Sequence, residues 1–438
     1  MYGKDELLKL AKENQVRFIR LQFTDIFGVM KNVAITTSQL EKALDGELMF
    51  DGSSIDGFAR IEESDMYLIP DYGTWTVLPH NPETARLICD VYNLDKTPFH
   101  GDPRYILRRA LAEAARLGFT MNVGPEMEFF LFQVDADGKP TLKTHDLASY
   151  FDLAPVDLGE AARREMVLDL ESMGFEVEAS HHECAPGQHE IDFKYADALL
   201  AADHVQTCKF VVRQAAQRHH LHATFMPKPV FGIAGSGMHM NQSLFKAGVN
   251  AFYDSRGERE LSATAYYYMG GLLKHAPALT AILNPTVNSY KRLVSGYEAP
   301  VYVAWAEKNR SPLVRVPSKR GPSARVELRS PDPSCNPYLA CAVMLMAGLD
   351  GVKNKIAPPE PVECNIFCLS EQELQDKDLA LLPGSLKEAL DELMRDTIIL
   401  NTLGEHVAQR FYEAKLLEWN EYCHDVSLWE VERYLSKF

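Results

Sequence analysis

The stretch GPEMEFFLF, residues 124–132, decides the fold of the larger part of the chain. Its residues alternate, so Glu126 and Glu128 leave one face of a predicted strand while the apolar residues leave the other face. One face can therefore pack on a core, and the other carries two carboxylates side by side. Adjacent like charges destabilise a strand unless the face is solvated or a cation lies between them. The stretch is thus either a solvated strand face or half of a cation site.

A second stretch, HHECAPGQHEIDFKY at residues 181–195, repeats this pattern around a turn. Glu183 and Glu190 bracket a Pro-Gly pair, which is typical of a turn, and from Glu190 onward charged and apolar residues alternate as in a strand. The sequence therefore predicts a hairpin. Its carboxylates either point into solvent or converge on one ion, and the hairpin alone does not decide between these two interpretations.

Two further stretches carry candidate ligands. GSGMHMN at residues 235–241 places His239 after a glycine-rich loop, and RVELR at residues 325–329 puts Arg325, Glu327 and Arg329 on one face of a predicted strand. Taken alone, a single histidine is typical of a hydrogen-bonded structural residue, and an Arg-Glu-Arg face is typical of a surface salt-bridge ladder.

Together these stretches indicate a site for two divalent cations. Hard ions such as Mg²⁺ and Mn²⁺ prefer oxygen ligands. The eight cysteines include no C-x-x-C pair, so zinc or iron–sulfur chemistry is not indicated. The candidate metal ligands are Glu126, Glu128, Glu183, Glu190, His239 and Glu327.

The segment of residues 309–329 is rich in cations. Two divalent ions would leave the five candidate carboxylates with about one uncompensated negative charge, so a nucleotide triphosphate would need further positive groups. Arginine suits that task because its guanidinium binds phosphate and carboxylate through two parallel hydrogen bonds. The alternative is a solvated basic surface loop. The candidates are Arg310, Arg315, Lys319, Arg320, Arg325 and Arg329.

The pattern of predicted secondary structure changes near residue 102. Residues 1–102 combine one short helix with turn-punctuated, β-rich segments, which predicts a small sheet domain. Beyond it, apolar periodicity predicts helices over residues 105–117, 158–174, 197–219 and 261–275, separated by short strands. The predicted domains are residues 1–102 and 103–438, and the predicted fold class is α+β.

The composition argues against several classes of protein. The 438 residues carry a formal net charge of −16, which does not favour nucleic acid or anionic lipid as a partner. The longest nearly uncharged apolar run, residues 338–349, falls short of the about 20 residues that a membrane helix needs. The N-terminal residues lack the apolar core of a signal peptide, which predicts a cytoplasmic protein. Most of the cysteines are expected to be buried, reduced thiols.

The ordered motifs resemble those of bacterial type I glutamine synthetases. In chain order the matching stretches are MFDGSSIDGF, GPEMEFFLF, HHECAPGQHEIDF, GSGMHMNQSL, NPTVNSYKRL, NRSPLVRVP and RVELRSPDPSCNPYLA. No Walker motif is present, and this family holds ATP with metals and arginine. The resemblance spans nearly the whole chain. It implies an N-terminal β-grasp-like domain, a catalytic domain with a curved, mainly antiparallel sheet flanked by helices, and ATP-dependent ligation of ammonia to L-glutamate through γ-glutamyl phosphate.

The resemblance also implies a role for each matching position. One divalent ion would be held by Glu128, Glu183 and Glu190, and the other, which bridges the ATP phosphates, by Glu126, His239 and Glu327. Arg310, Arg315 and Arg325 match residues that bind the phosphates, and Tyr195 and Ser243 match residues that pack on the adenine. Arg292 and Arg329, with the backbone near Gly235, match the groups that hold the carboxylates of glutamate.

An ammonium site and an assembly follow from the same resemblance. Asp51, Ser54, Tyr150 and the flap residue Glu298 match the residues around the ammonium ion, with Asp51 and Ser54 coming from a neighbouring subunit. The implied homo-oligomer is a dodecamer of two hexameric rings. Ala234 and Ser295 depart from the residues common in the family without removing a ligand.

Two positions concern regulation. Phe367 stands where adenylylated relatives carry a modifiable tyrosine, which resembles the alpha subtype that is not adenylylated. In that subtype Arg60 matches a residue that couples the site to feedback inhibition by glutamine, and nitrogen-regulatory transcription factors are candidate partners. The alternative for Arg60 is a surface ion pair with Glu62 or Glu63.

Three other functions are alternatives to this one. A γ-glutamyl-amine ligase of the same fold would keep both metals and accept a polyamine or ethanolamine, but its amine pocket should differ from the one implied here. A non-catalytic scaffold would be expected to lose metal ligands, and none is lost. A metallohydrolase would not need the arginine-rich segment of residues 309–329.

Overall fold

Two β-sheets organise the protein. The computed structural model describes residues 2–55, 57, 65–297, 299–377 and 379–438. The first sheet has five strands in the order β2-β1-β5-β4-β3, and only β1 and β5 pair in parallel among them. The elements of this part are α1 (Lys4–Glu13), β1 (Phe18–Thr24), β2 (Met30–Thr36), α2 (Leu40–Leu44), β3 (Leu48–Asp51), β4 (Asp65–Leu78) and β5 (Asn81–Tyr92).

The two faces of the first sheet have different neighbours. Ile19 and Leu21 of β1 belong to an apolar cluster that also contains Leu7 of α1. Arg20, Gln22 and Thr24 point to the other face, because successive side chains of a strand alternate. On that second face, Gln206 donates hydrogen bonds to the Thr24 Oγ1 at 3.4 Å and to the carbonyl oxygen of Gly28 at 3.1 Å. This face therefore joins the rest of the chain.

The larger part of the chain contains the second sheet and most of the helices. Its elements are α3 (Pro103–Arg116), β6 (Thr120–Val134), β7 (Pro140–Thr144), α4 (Glu160–Ser172), β8 (Val177–His182), β9 (Gln188–Phe193), β10 (Ala196–Asp197), α5 (Ala198–Arg218), β11 (Leu221–Thr224), β12 (Met240–Lys246), β13 (Val249–Asn250), α6 (Ala263–Leu283), α7 (Ser289–Arg292), β14 (Trp305–Ala306), β15 (Val314–Arg315), β16 (Val326–Leu328), α8 (Pro337–Asn354), α9 (Glu371–Asp376), α10 (Leu386–Leu393), α11 (Thr397–Leu403), α12 (Glu405–His424) and α13 (Leu428–Tyr434).

The long strand β6 is the centre of the second sheet. The main path runs β14-β15-β16-β12-β6-β9-β8, and its pairs are antiparallel except β14 with β15 among the described residues. Helices α3, α5, α6 and α8 contribute to the main apolar core. The mixed α+β fold predicted from the sequence is confirmed. The domain boundary at residue 102 stays a prediction.

Two local expectations were wrong. The helix predicted over residues 261–275 runs on to Leu283 and contains Pro277, because nearly all residues of its second half are buried in the core. Of the eight cysteines, only Cys89, Cys208, Cys335 and Cys341 are buried, whereas Cys184, Cys364, Cys368 and Cys423 are exposed. Within the described residues, no helix combines the length and the apolar character needed to cross a membrane.

Arg104, at the start of α3, joins the first sheet to helix α5 through ion pairs. Its side chain is only 3% exposed, and its guanidinium donates to Asp90 Oδ1 at 2.7 Å and to Asp71 Oδ2 at 2.8 Å, both in the first sheet. It also donates to both carboxylate oxygens of Asp203 in α5, at 3.0 and 2.9 Å. One buried guanidinium thus holds three carboxylates from both parts of the chain.

Replacing Arg104 by methionine is expected to lower the free energy of unfolding by about 3–5 kcal/mol, because a buried charge cluster loses its counterion. Arg108→Met is the matched control, since Arg108 contacts the same Asp71 and Asp90 but is 39% exposed. The control is expected to cost about 0–1 kcal/mol. Denaturant unfolding of both variants gives the comparison, and equal losses would contradict the role of Arg104.

Candidate active site

Strand pairing places the acidic residues of two distant stretches on one surface. In the antiparallel pair of β6 and β9, Glu126 lies opposite Asp192 and Glu128 lies opposite Glu190. On the far side of β9, His181 of β8 lies opposite Glu190. Directly opposed residues of antiparallel strands point to the same face. The solvated-hairpin interpretation is therefore replaced by a cluster of carboxylates on one sheet face.

One group of possible ligands contains Glu126, His239 and Glu327. The His239 Nδ1 lies 3.0 Å from Glu126 Oε2 and 3.8 Å from Glu327 Oε1, and one ligand atom from each residue lies within 4.8 Å of the others. Asn241 donates to Glu126 Oε1 at 2.9 Å. The three residues come from β6, from the loop before β12 and from β16, which are neighbours in the sheet.

A second group contains His181, Glu183 and Glu190. The His181 Nε2 lies 3.5 Å from Glu190 Oε2, and its Nδ1 lies 3.9 Å from Glu183 Oε1. One ligand atom from each of the three lies within 4.8 Å of the others. This group lies on the hairpin that the sequence predicted.

Glu128 connects the two groups. Its Oε1 lies 3.9 Å from the His239 Nε2, while its Oε2 accepts hydrogen bonds from the Gly237 backbone at 2.9 Å and from Gln188 Nε2 at 3.1 Å. A Cβ atom at Gly237 would lie 2.6 Å from Arg292 Nη2 and 2.9 Å from the His239 Nε2. A glycine is therefore needed where this loop passes the carboxylate.

The electrostatics of these groups fit a divalent cation. Burial and the neighbouring Glu183 raise the pKa of Glu128, and burial and the neighbouring Glu128 raise the pKa of Glu190. Burial and Glu126 likewise raise the pKa of Asp192. Crowded carboxylates protonate when no cation balances them. Because their oxygens are the ligands that Mg²⁺ and Mn²⁺ prefer, the donor set fits such ions.

His239 is poised to act as a ligand. Burial and Arg329 lower its pKa, against the opposing effect of Glu126, so the imidazole is neutral at pH 7. Neutral imidazole is the form that binds metals. Burial by itself would raise the pKa of Glu126, but the hydrogen bond with His239 lowers it, so this carboxylate is ionised.

Arginine side chains contact the acidic residues, in particular Glu327. Arg315 donates through Nε to Glu327 Oε2, and Arg329 Nη1 donates to Glu327 Oε1 at 2.6 Å. Arg292 is buried and donates to the backbone carbonyl oxygens of Arg329 and Ser330 at 3.1 and 2.7 Å. Glu327, which is fully buried, thus lies between two guanidinium groups and the possible ligand His239.

Most of these residues line one cavity of about 520 Å³, which we call the carboxylate cavity. Glu327 lies behind its wall, where it accepts from the lining residues Arg315 and Arg329. Tyr150 and Arg310 lie at its wall and share a hydrogen bond. The predicted site residues that line it are Glu126, Glu128, Tyr150, Glu183, Glu190, Gly235, His239, Arg292, Arg310, Arg315 and Arg329, and Ala234 lines it as well.

A second cavity of about 300 Å³ adjoins the first. Glu126 and Asp192 line both cavities, so the two share a wall. Tyr195, Ser243 and Arg325, which the sequence analysis placed around a nucleotide, line the second cavity together. Arg325 Nε donates to Asn241 Oδ1 at 2.8 Å, which orients it beside Glu126.

The remaining predicted site residues lie elsewhere. Asp51 is the last residue of β3 in the first sheet and Ser54 follows that strand; both are exposed, and neither lines the carboxylate cavity in the described part of the chain. Asp51 Oδ1 accepts a hydrogen bond from the Ser53 backbone at 2.8 Å. Arg60 and Glu298 lie outside the described residues.

Comparison with protein families gives two matches that together cover most of the chain. Residues 15–94 match the family "Glutamine synthetase, beta-Grasp domain", and residues 100–434 match "Glutamine synthetase, catalytic domain". The chain belongs to the glutamine synthetase family. The resemblance found in the seven ordered motifs is confirmed at the level of the glutamine synthetase family.

Individual relatives agree with the family. Glutamine synthetases of Clostridium saccharobutylicum and Staphylococcus aureus (strain MW2) are 59% and 56% identical to the chain over 100% of it and 99% of each relative. A solved structure described as "GmaS/ADP complex-Conformation 1" superposes with a TM-score of 0.90 at 33% identity, covering 98% of this chain and 99% of the other. One described as "CryoEM Plasmodium falciparum glutamine synthetase" gives a TM-score of 0.88 at 26% identity, covering 99% of both chains.

These matches confirm two predictions from the sequence. The chain is a glutamine synthetase-family enzyme, and its reaction is ATP-dependent ligation of ammonia to L-glutamate. They do not favour the polyamine or ethanolamine ligase. ATP and divalent metals are the cofactors of this family.

Sequence reasoning missed three residues of this glutamine synthetase-family site. His181 was quoted as part of its motif but not singled out, although the strand pairing brings it to Glu190. Gln188 and Asn241 hold Glu128 and Glu126 through their amides. Asn241 lies two residues after His239, so strand alternation could have found it. Gln188 lies two residues before Glu190 in β9, so the same alternation could have placed it on this face, but its contact with Glu128 follows only from the pairing of β9 with β6.

Proposed function

We propose that the carboxylate cavity and the adjoining cavity form one active site, which joins ammonia to L-glutamate with ATP through γ-glutamyl phosphate. The observation that carries this proposal is the convergence of five candidate metal ligands and four arginines on one cavity, with the sixth ligand, Glu327, buried directly behind Arg315, Arg329 and His239. A scaffold protein would not need that convergence. A hydrolase would not need the arginines beside the carboxylates.

The metal ligands divide into two sets in this proposal. Glu128, Glu183 and Glu190 would hold one Mg²⁺ or Mn²⁺ ion, and Glu126, His239 and Glu327 would hold the other. His181, which contacts Glu190, would orient the first set. When bound, such ions neutralise phosphate oxygens and polarise the phosphorus toward attack.

The remaining polar residues bind the substrates. Arg310, Arg315 and Arg325 bind the phosphates of ATP, and Tyr195 and Ser243 contact the adenine in the adjoining cavity. Arg292 and Arg329, together with the backbone near Gly235, hold the carboxylates of glutamate. The position of Arg292 supports this assignment, because the residue is buried at the wall of the cavity and two backbone carbonyl oxygens fix the orientation of its guanidinium group.

The chemistry follows from these positions. Arginine side chains neutralise the γ-phosphate while the side-chain carboxylate of glutamate attacks it in line, which gives an acyl phosphate and ADP. Ammonium becomes a nucleophile only after it loses a proton. Asp51 takes that proton beside Ser54 and Tyr150, and ammonia displaces phosphate. Glu298 closes over the intermediate and excludes water.

Assembly completes the site. Because Asp51 and Ser54 are exposed on the first sheet and do not line the cavity of their own chain within the described residues, we assign them to the cavity of a neighbouring subunit. The proposed assembly is a dodecamer of two hexameric rings. The cytoplasmic location stays a prediction.

Regulation is proposed to follow the alpha subtype. Phe367 lies in a short helical turn, Ile366–Cys368, and has no hydroxyl group that could accept a nucleotide. Control would therefore be direct, with Arg60 coupling glutamine binding to inhibition. Nitrogen-regulatory transcription factors are proposed partners.

A substrate panel tests the proposed function. With L-glutamate, ATP and Mg²⁺, ammonium is expected to give glutamine, ADP and phosphate in equal amounts, whereas putrescine, spermidine and ethanolamine give at least about a hundredfold lower kcat/KM. Product identity is read by chromatography, and ADP release without amine is the control. Equal turnover with a polyamine would contradict the assignment to ammonia.

A further inference from the structure

The structure contains a third cavity, which lies between the first sheet and the larger part of the chain. It has a volume of about 620 Å³ and shares no lining residue with the two cavities of the active site. Strands β1 and β2 form one side, and α5 with residues 224–227 and 286–288 forms the other. This volume is within the range of small-molecule binding sites. We call it the interdomain cleft.

Four cations line the interdomain cleft, and three of them, Arg20, Lys209 and Arg213, form no ion pair among the described residues. The guanidinium of Arg20 lies over the ring of Phe210 at 5.9 Å, and that of Arg213 lies over the ring of Phe225 at 5.3 Å. Neither guanidinium contacts a carboxylate in the part of the chain that the structure describes. Lys209 is 6% exposed, and its Nζ donates to the carbonyl oxygen of Cys335 at 3.2 Å. Lys209 forms no ion pair with a described carboxylate, and burial and Arg213 lower its pKa to about 8 against the opposing effect of the more distant Asp332.

The acidic groups near the interdomain cleft are already paired. Glu418, the acidic residue among the described lining residues, accepts from Lys415 at 2.7 Å and from the Val287 backbone at 3.1 Å. Lys31, a fourth lining cation, pairs with Asp25 at 3.4 Å. The cleft therefore carries a local surplus of positive charge on a chain whose net charge is −16. Such a concave cationic patch attracts anions.

We propose that the interdomain cleft binds a small polyvalent anion, a di- or tricarboxylate or a phosphate compound, between Arg20, Lys209 and Arg213. Two guanidinium groups with fixed orientation can each bind a carboxylate or phosphate through parallel hydrogen bonds. Gln22 and Gln214, which also line the cleft, offer further amide donors. Binding would relieve the repulsion among the three cations. This inference does not depend on the roles assigned in the active site.

The interdomain cleft shares structure with the loop that we assign to glutamate binding. Pro227 lines the cleft, and its carbonyl oxygen accepts a hydrogen bond from the Ser236 backbone at 2.8 Å, beside Gly235. Asn288, another lining residue, exchanges two hydrogen bonds with the Lys228 backbone, at 2.8 and 3.0 Å. An anion that shifts this wall would alter the affinity for glutamate. For this to happen, the anion must bind more tightly to one conformation of the wall than to the other.

Calorimetric titration of the assembled, metal-free enzyme tests the proposal. The probes are citrate, as a tricarboxylate, and inorganic pyrophosphate, as a phosphate compound. Arg20→Gln and Arg213→Gln are each expected to weaken binding of the favoured probe by about tenfold or more, the loss of one charge-assisted interaction. Arg17→Gln is the matched control, because Arg17 is exposed just before β1 and pairs with Glu83 instead. Thermal unfolding confirms that each variant is folded.

The outcomes separate the possibilities. If Arg20→Gln and Arg213→Gln bind the probes as tightly as the wild type, the probes bind at the active-site arginines and the proposal is overturned. If neither probe binds the wild-type enzyme, the proposal is also overturned. Preference for citrate or for pyrophosphate identifies the class of anion. At fixed free Mg²⁺, the favoured probe is expected to change the KM for glutamate about threefold or more in the wild type and not in Arg213→Gln. Binding without any change in KM would contradict the link to the glutamate loop.

Discussion

Replacing Glu327 by alanine is expected to reduce glutamine formation by about a thousandfold or more, because the metal site proposed at the phosphate-binding side loses one of its ligands. Glu327 is fully buried and lies between Arg315, Arg329 and His239. Its removal leaves two guanidinium groups without their carboxylate. Steady-state assays with saturating ATP, glutamate and ammonium give the measurement.

A control separates lost chemistry from lost folding. Glu307 is also a partner of an arginine, since it accepts from Arg320 at 2.6 Å, but its side chain is 22% exposed and it belongs to neither group of candidate metal ligands among the described residues. Glu307→Ala is expected to keep turnover within about threefold of the wild type. Glu327→Gln preserves volume and is expected to remain folded but inactive, because an amide is a poor ligand for Mg²⁺. Near-normal turnover of a folded Glu327→Ala enzyme would show that Glu327 has no part in catalysis.

Mixing two inactive variants is expected to restore activity. In a one-to-one mixture of Asp51→Ala and Glu327→Ala chains that exchange subunits, about one quarter of the sites combine an intact Asp51 with an intact Glu327 from a neighbour. The expected recovery is therefore about one quarter of wild-type specific activity. The physical reason is the exposure of Asp51 on the first sheet, away from the cavity of its own chain.

The mixing experiment needs proof of exchange. Chains carrying two different affinity tags are dissociated and reassembled, and tandem purification isolates the mixed assemblies. Mixing Glu327→Ala with His239→Ala is the matched control and should stay inactive, because both changes affect the same chain's cavity. If mixed assemblies of Asp51→Ala and Glu327→Ala also remain inactive, each site is built within one chain.

Local patterns in the sequence predicted the acidic strands, because alternation of side chains is a property of the strand itself. Glu126 and Glu128 were placed on one face of β6, and Glu183 and Glu190 on one hairpin, as the structure shows. The identity of the partners across strands was not predictable from that alternation. The register that sets Glu128 against Glu190 depends on residues 62 positions apart and on the whole sheet.

Tertiary context also decided elements that propensity alone predicts wrongly. Proline normally ends a helix, yet α6 continues through Pro277 to Leu283, where nearly every residue of its last two turns is buried. The parallel pairing of β1 with β5 joins strands separated by four other elements, so no local signal announces it. Arg104 likewise looks like an ordinary helix residue in sequence, although it holds three carboxylates.

The most direct test of the central claim is a metal titration of the purified enzyme. Chelation should abolish ATP-dependent glutamine formation, and Mg²⁺ or Mn²⁺ should restore it as two ions per chain bind to the carboxylate cavity. In Glu327→Gln the stoichiometry should fall to one ion per chain. Full activity in excess chelator, or two bound ions in Glu327→Gln, would contradict the account of this cavity as a two-metal ligase site.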